Sequence, residues 1–145
     1  MTNSWGSPKV VSRGVVHQAD TLPGFVGEMD GEKMGFLTYH IHENMLEIVA
    51  LNVLKQRKGI GRALIERVCE LAASTDCRRV WVITTNDNKP AIDFYKAIGF
   101  EIVKIHEGAI KESRRLKPEI PLVGIDEIPI TDEIELEYKL ENTYL

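Results

Sequence analysis

Between the apolar run LEIVALNVL (46–54) and the helically spaced segment GRALIERVCELAAS (61–74), the chain places Gln56, Arg57, Lys58, Gly59, Ile60 and Gly61. The chemistry open to such a junction is anion binding. The first N–H groups of a helix lack partners and sit at the positive end of its dipole. Gly59 and Gly61 carry no Cβ, so a phosphate can come close to those amides. Gln56, Arg57, Lys58 and Arg62 ring the same turn with donors and positive charge. A diphosphate site fits these residues, and so does a plain chain turn at Gly59 and Gly61 with Arg57 and Lys58 as solvated surface, because short Gly-x-Gly matches are frequent. Two familiar phosphate motifs are excluded. A dinucleotide fingerprint needs a third glycine where Leu64 stands, and a P-loop needs a four-residue gap and a Gly-Lys-Ser/Thr ending.

Other polar residues have plainer readings. His40 and His42 alternate along a strand and share a face, a spacing that can hold a metal. No carboxylate or cysteine is clearly recruited beside them, so solvated strand histidines are expected and no metal is assigned. Asn86, Asp87 and Asn88 in TTNDNKPA suit a turn and a helix cap as well as a catalytic loop. Arg114, Arg115 and Lys117 fall in a long connection, residues 106–132, well above the usual loop length. They could recognise a substrate carboxylate or cover a cofactor, and the segment could pack on a second subunit. A solvated short helix ended by Pro118 is the preferred expectation.

The elements that must position these residues follow from periodicity. Asp30-Gly31 between two extended runs is a two-residue hairpin signal, predicting strands near Phe25–Met29 and Lys33–Ile41. Glu43-Asn44 marks another turn, and MLEIVALNVL reads as a third strand buried on both faces. Ile60, Leu64, Ile65, Val68, Leu71 and Ala72 recur with helical spacing, with Arg62, Glu66, Arg67 and Glu70 on the other side. RRVWVITT is a short β-branched strand whose arrival after a helix predicts a parallel crossover. Pro90 and Gly99 bracket a helix over PAIDFYKAI. FEIVKI should return as a strand. Ile134, Leu136, Tyr138 and Leu140 alternate with Glu133, Glu135, Glu137 and Lys139, the pattern of a half-buried last strand. This order is α+β rather than doubly wound.

Composition bounds the function. A chain of 145 residues with 43% hydrophobic and 28% charged residues is expected to form one domain, spanning 1–145. The net charge of -4 argues against general nucleic-acid binding, whose footprint is basic. The opening MTNSWGSPKVVSRGVVH holds only valine pairs, too little for a signal-peptide core or a membrane span. Cys69 and Cys77 have neither zinc nor disulfide spacing, so a reduced, cytoplasmic protein is expected.

Taken together, QRKGIG after LEIVALNV and the downstream NKPAIDFYKAIGF resemble the GNAT superfamily of acyl-CoA-dependent N-acyltransferases. The first matches the family's Q/R-x-x-G-x-G/A pattern at Gln56, Gly59 and Gly61. The second matches its N-x-x-A-x-x-x-Y-x-x-x-G-F pattern at Asn88, Ala91, Tyr95, Gly99 and Phe100. The resemblance covers roughly Phe25 to Leu140. It implies a mixed, mostly antiparallel sheet with a splayed parallel strand pair and flanking helices. Acetyl-CoA, or another acyl-CoA, would lie in a wedge between the strands of LEIVALNV and VWVITT. Its pantetheine arm would follow main-chain groups near Leu51, Asn52 and Val53, and its diphosphate the amides from Arg57 to Arg62. Asn88 and Tyr95 would line the second side.

The resemblance also directs attention to two side chains. An alkyl ammonium, of pKa about 10.4, must lose a proton before it attacks a thioester. Glu47 stands in apolar surroundings at the strand position that some family members use as general base; burial would make it a better base. It could equally be a surface carboxylate pointing away. The leaving thiolate needs a proton, and Tyr95, at the motif tyrosine, can supply it; a core aromatic is the alternative. A main-chain N–H, that of Val53, would polarise the carbonyl. The expectation is direct acetyl transfer to a small amine, with a non-catalytic acyl-CoA sensor as the alternative and a homodimer left open. The sequence departs from the family at its start, where the usual strand and helices are replaced by about 24 residues before the hairpin. The opening strand is expected to be reduced to KVVSRGVV or missing, with Trp5 plugging the core.

Overall fold

The computed structural model describes residues 9–12, 15–18, 22–54 and 58–140. Eight strands and three α-helices run in the order β1 (Lys9–Ser12), β2 (Val15–Gln18), β3 (Gly24–Met29), β4 (Glu32–His42), β5 (Met45–Val53), α1 (Lys58–Ser74), β6 (Arg79–Thr85), α2 (Lys89–Ile98), β7 (Glu101–His106), α3 (Ala109–Leu116) and β8 (Glu133–Lys139). The first two pair only with each other. The opening stretch is therefore a separate antiparallel hairpin rather than one reduced strand of the main sheet, and among the described residues no helix precedes α1. Trp5 lies outside the described residues.

Local chemistry sets the meander. Asp30 (φ 52°) and Gly31 (φ 80°) are both left-handed, the two-residue turn whose twist matches its flanking strands. Glu43 (φ 51°) and Asn44 (φ 62°) repeat the device between β4 and β5. The main sheet has the order β3-β4-β5-β6-β8-β7. Only β5 and β6 are parallel, joined by the α1 crossover, and β8 inserts between β6 and β7. Leu64, Ile65, Val68 and Ala72 of α1 bury against Leu37, Leu46, Ile48, Val80 and Val82 of the sheet. Each large aliphatic side chain so buried contributes about 1.5–3 kcal/mol relative to exposure.

One irregularity governs what faces where. Tyr39 lies opposite Ile48 but Thr38 lies opposite Ala50, so Val49 is an extra, unpaired residue of β5. Such a bulge bends its strand and shifts the side-chain alternation by one. Before it, Leu46 and Ile48 enter the core while Glu47 faces the opposite side of the sheet; beyond it, Leu51 and Val53 pack against the core instead. Parallel pairing with β6 stops at the same point, Ile48 opposite Val82 being the last pair.

The long connection after β7 differs from the expected solvated helix. Helix α3 forms and ends before Pro118, but Ile110, Ser113 and Lys117 are buried. Ile110, Ile120 and Ile130 make a small core of their own. Arg114, expected to be solvated, with contact to a substrate or cofactor as the alternative, instead donates to the carbonyls of Ile120, Pro121 and Ile130. Asn86 and Asp87 prove to be anchors for this segment rather than merely turn residues. Asn86 Oδ1 accepts from the N–H groups of Thr131 and Asp132, and its Nδ2 donates to the Pro129 carbonyl. The buried Asp87 accepts from the Thr85 hydroxyl and, at 3.0 Å, from the Ile125 N–H. A Cβ at Gly124 would stand 2.1 Å from Asp87 Oδ2, so a glycine is required for this approach.

A polar network crosses the sheet face opposite α1. Arg79 Nη2 lies 2.6 Å from Glu135 Oε2, and its guanidinium sits over the Trp81 ring. Its Nε is 2.8 Å from Glu137 Oε1, near enough for charge attraction but off-line for a hydrogen bond. His106 Nε2 approaches Glu135 Oε1 at 2.9 Å. Burial pushes the Glu135 carboxyl up, but the hydrogen bonds and charges of Arg79 and His106 outweigh it and hold the group below its usual 4.5. A depressed carboxyl stabilises the fold above its ordinary range and loses that contribution as pH falls through its folded value.

Two outcomes follow. Asp87→Ala should cost about 1–3 kcal/mol in urea unfolding, as expected for orphaned buried donors, and should accelerate hydrogen exchange at Ile125. Glu135→Gln should lower stability at neutral pH and flatten the decline that the native chain shows below pH 4.5; parallel, undiminished acid limbs would contradict the network's role.

Candidate active site

Where β5 bends away from β6, the strands open a cavity of about 670 Å³. Ile48, Val49, Leu51 and Val53 form one wall, and Val82, Ile83 and Thr84 the other. Asn88, Pro90, Ala91, Phe94 and Tyr95 close it from α2, and Gly61 from the first turn of α1. Val82 belongs to the α1 side of the sheet and its neighbour Ile83 to the opposite side, so the cavity passes through the gap between the strands. Its size and mainly apolar lining suit a small organic ligand.

Helix α2 brings two expected residues to this wall. Asn88 is its N-cap, with Oδ1 accepting from the Ala91 N–H at 3.2 Å. At the other end the Gly99 and Phe100 N–H groups return to the Tyr95 carbonyl, stopping the helix one turn past the tyrosine. The Tyr95 ring is wedged between Phe94 (centroids 5.4 Å apart) and Phe100 (5.2 Å), leaving the residue 5% exposed on the cavity wall. Burial raises its phenol well above the ordinary range, so at neutral pH it is a proton donor.

The remaining expected residues divide clearly. Leu51 and Val53 line the cavity; Asn52 alternates away and is exposed. Gly61 lies against Phe94, where an added Cβ would be 3.1 Å from the ring, while Gly59 is exposed with open space beside it. Ile60 packs on the core, and Arg62 is exposed with Glu66 at 3.8 Å. Lys58 opens α1, and Gln56 and Arg57 lie outside the described residues. Glu47 is buried at 5% exposure but does not line the cavity. It sits one residue before the last β5–β6 pair, opposite His40 on β4 and Trp81 on β6.

Sequence reasoning did not single out Val49, Ile83 or Phe94. Phe94 precedes the motif tyrosine, and the bulge that brings Val49 to the cavity wall has no local sequence mark. Cys69 is no covalent nucleophile: burial, then the Glu66 charge, pushes its thiol up to about 11. Among the described residues no cluster of three or more His, Cys, Asp or Glu could hold a metal, and no helix is long and apolar enough to cross a membrane.

Comparison with known proteins agrees with this architecture. The chain is 40% identical to the uncharacterized protein YdhI of Bacillus subtilis (strain 168) over 131 residues, covering 90% of this chain and 82% of that one. It is 36% identical to the uncharacterized protein YxbD of the same organism over 138 residues, covering 94% and 87%. The fold is similar to that of a GNAT family acetyltransferase from Elizabethkingia anophelis with acetyl-CoA bound, with a TM-score of 0.73 and 21% identity over 84% of this chain and 78% of that one. Residues 4–100, which include the wedge, Glu47 and Tyr95, match the model of the acetyltransferase (GNAT) family, and the chain belongs to that family.

Proposed function

We propose that the chain transfers an acetyl group from acetyl-CoA directly to the primary amine of a small acceptor in the cytoplasm. The observation that carries this reading is the gap that opens between β5 and β6 beyond the Ile48–Val82 pair, with Tyr95 on its wall; Glu47 stands one residue before that pair. The Elizabethkingia anophelis relative holds acetyl-CoA. In this chain the apolar cavity would take the acyl-pantetheine arm along Leu51, Asn52 and Val53. The amides from Arg57 to Arg62 would receive the diphosphate, with the side chains of Gln56, Arg57 and Lys58 as further donors and Gly59, Ile60 and Gly61 keeping the approach open. Asn88 would hold the α2 side.

The acceptor amine would approach from the face that carries Glu47. Glu47 takes the proton that makes the amine nucleophilic, and the Val53 N–H stabilises the oxyanion as nitrogen attacks the thioester carbon. The C–S bond then breaks, and the sulfur takes a proton from the Tyr95 hydroxyl, which is regained from the nitrogen. No covalent enzyme intermediate is required, in keeping with the inert thiol of Cys69.

The test is calorimetric titration with acetyl-CoA beside desulfo-CoA and NAD. Release of CoA thiol is then followed with spermidine, L-lysine, phenethylamine and a short peptide as acceptors. Binding of acetyl-CoA but not NAD, with amine-dependent thiol release, is expected. Binding without release for any amine would favour a non-catalytic acyl-CoA sensor. Tyr95→Phe and Glu47→Gln should each lower kcat by about 10²–10⁴-fold, the usual range for general acid–base groups, with acetyl-CoA affinity retained; unchanged kcat in both would overturn the mechanism.

A further inference from the structure

Acetylation of an ammonium by a thioester releases a proton to solvent. Of the two protons the nitrogen loses, one ends on the CoA sulfur and the other must reach bulk water. The group taking that second proton on the reading above is Glu47, only 5% exposed and flanked across the sheet by His40 and Trp81. A carboxylic acid buried there cannot return its proton to solvent directly, and a base that stays protonated serves one turnover.

Three residues of the same sheet face form a graded series from this carboxylate outward. His40 is directly opposite Glu47 across the β4–β5 pair, where side chains share a face with Cβ atoms about 4.5–5.5 Å apart. It is half-buried. Two residues further along β4, His42 stacks on it with ring centroids 6.2 Å apart and planes 13° from parallel. The His42 side chain is 71% exposed, 3.7 Å from Glu43 at the turn. The other charged group on this face of the neighbouring strands is Arg79 of β6, engaged with Glu135 and Glu137. Strand β3 pairs with β4 only as far as Thr38 and places nothing opposite His40. Imidazole is the side chain able to accept and release protons near neutral pH.

We propose that His40 is a positioning residue that relays the proton from Glu47 to solvent, with His42 as its outer station. The amine's proton passes to Glu47, then to the neutral imidazole of His40, and leaves through His42 or directly to buffer, restoring both the carboxylate and the neutral ring. No oxidant or further reactant is needed. The inference rests on Glu47 being the base.

Two measurements test it. The first needs no acceptor: protein labelled with ¹⁵N-histidine is titrated by NMR. Removing the carboxylate in Glu47→Gln should shift the His40 titration to lower pH and move that of His42 less. A His40 titration that is the same with and without the carboxylate overturns the relay. The second follows thiol release from acetyl-CoA with whichever amine of the panel above is turned over. His40→Gln should lower kcat by roughly 10²-fold, at the low end for proton-transfer groups, with KM for acetyl-CoA unchanged. In His40→Ala, added imidazole buffer should restore turnover in proportion to its concentration. If Glu47→Gln lowers kcat but His40→Gln does not, the relay fails while the base stands. If Glu47→Gln leaves kcat intact, the base itself is wrong and the relay falls with it. Calorimetric binding of acetyl-CoA by each variant shows that it is folded.

Discussion

The unpaired residue Val49 is the constraint on which the rest of the site depends. A parallel strand pair held by a regular ladder would bury both backbones against each other and leave no room for a ligand. With one extra residue in β5, the strand bends where its pairing with β6 ends, and a cavity of about 670 Å³ takes the place of the next hydrogen bonds. The same residue reverses the side-chain phase. Glu47 is thereby turned to the sheet face away from α1 while Leu51 and Val53 pack on the helix side. Without the phase change, a carboxylate on the far face would oblige Leu51 and Val53 to share it, and the wedge would lose its apolar wall.

Both helices around the wedge are fixed by contacts that double as lining. Gly61 lets α1 come within contact of Phe94 on α2, and Asn88 caps α2 while facing the cavity. The end of α2 is tied to Tyr95 through the Gly99 and Phe100 amides, which holds the phenol between two aromatic rings. The segment between β7 and β8 is fastened to the turn beside the cavity by Asn86 and Asp87, two residues and one residue before Asn88. Its small isoleucine core and its buried Lys117 make it a structured part of the molecule, although it also shows apolar side chains, Leu122, Val123 and Ile125, to solvent.

The opening strand, expected to be reduced to KVVSRGVV or missing, is instead a two-stranded hairpin outside the main sheet. The short helix expected before Pro118 forms, over Ala109–Leu116, but it is not the solvated helix that the charged run ESRRLK suggests. Only the fold shows that Ser113 and Lys117 turn inward beside Ile110 while Arg114 spends its donors on carbonyls of its own segment. Asn86 and Asp87 could be read from sequence as turn formers, since their side chains favour local backbone contacts. Their real partners are some 38 to 46 residues away, a separation that no local pattern can signal.

By itself the sequence determined the elements and their types. Helical and alternating periodicities marked α1, α2 and β8, the Asp30-Gly31 and Glu43-Asn44 turns marked the meander, and the two spaced motifs pointed to the family. These are local properties, set by side-chain spacing and backbone preference within a few residues. The resemblance already implied that the parallel pair splays; tertiary structure alone decided the bulge at Val49 that sets where β5 leaves β6, and the insertion of β8 between β6 and β7. It also decided that His40, Glu47 and Trp81 lie side by side on one face. Those are matters of register between strands far apart in the chain, where a shift of one residue exchanges the two faces of a sheet.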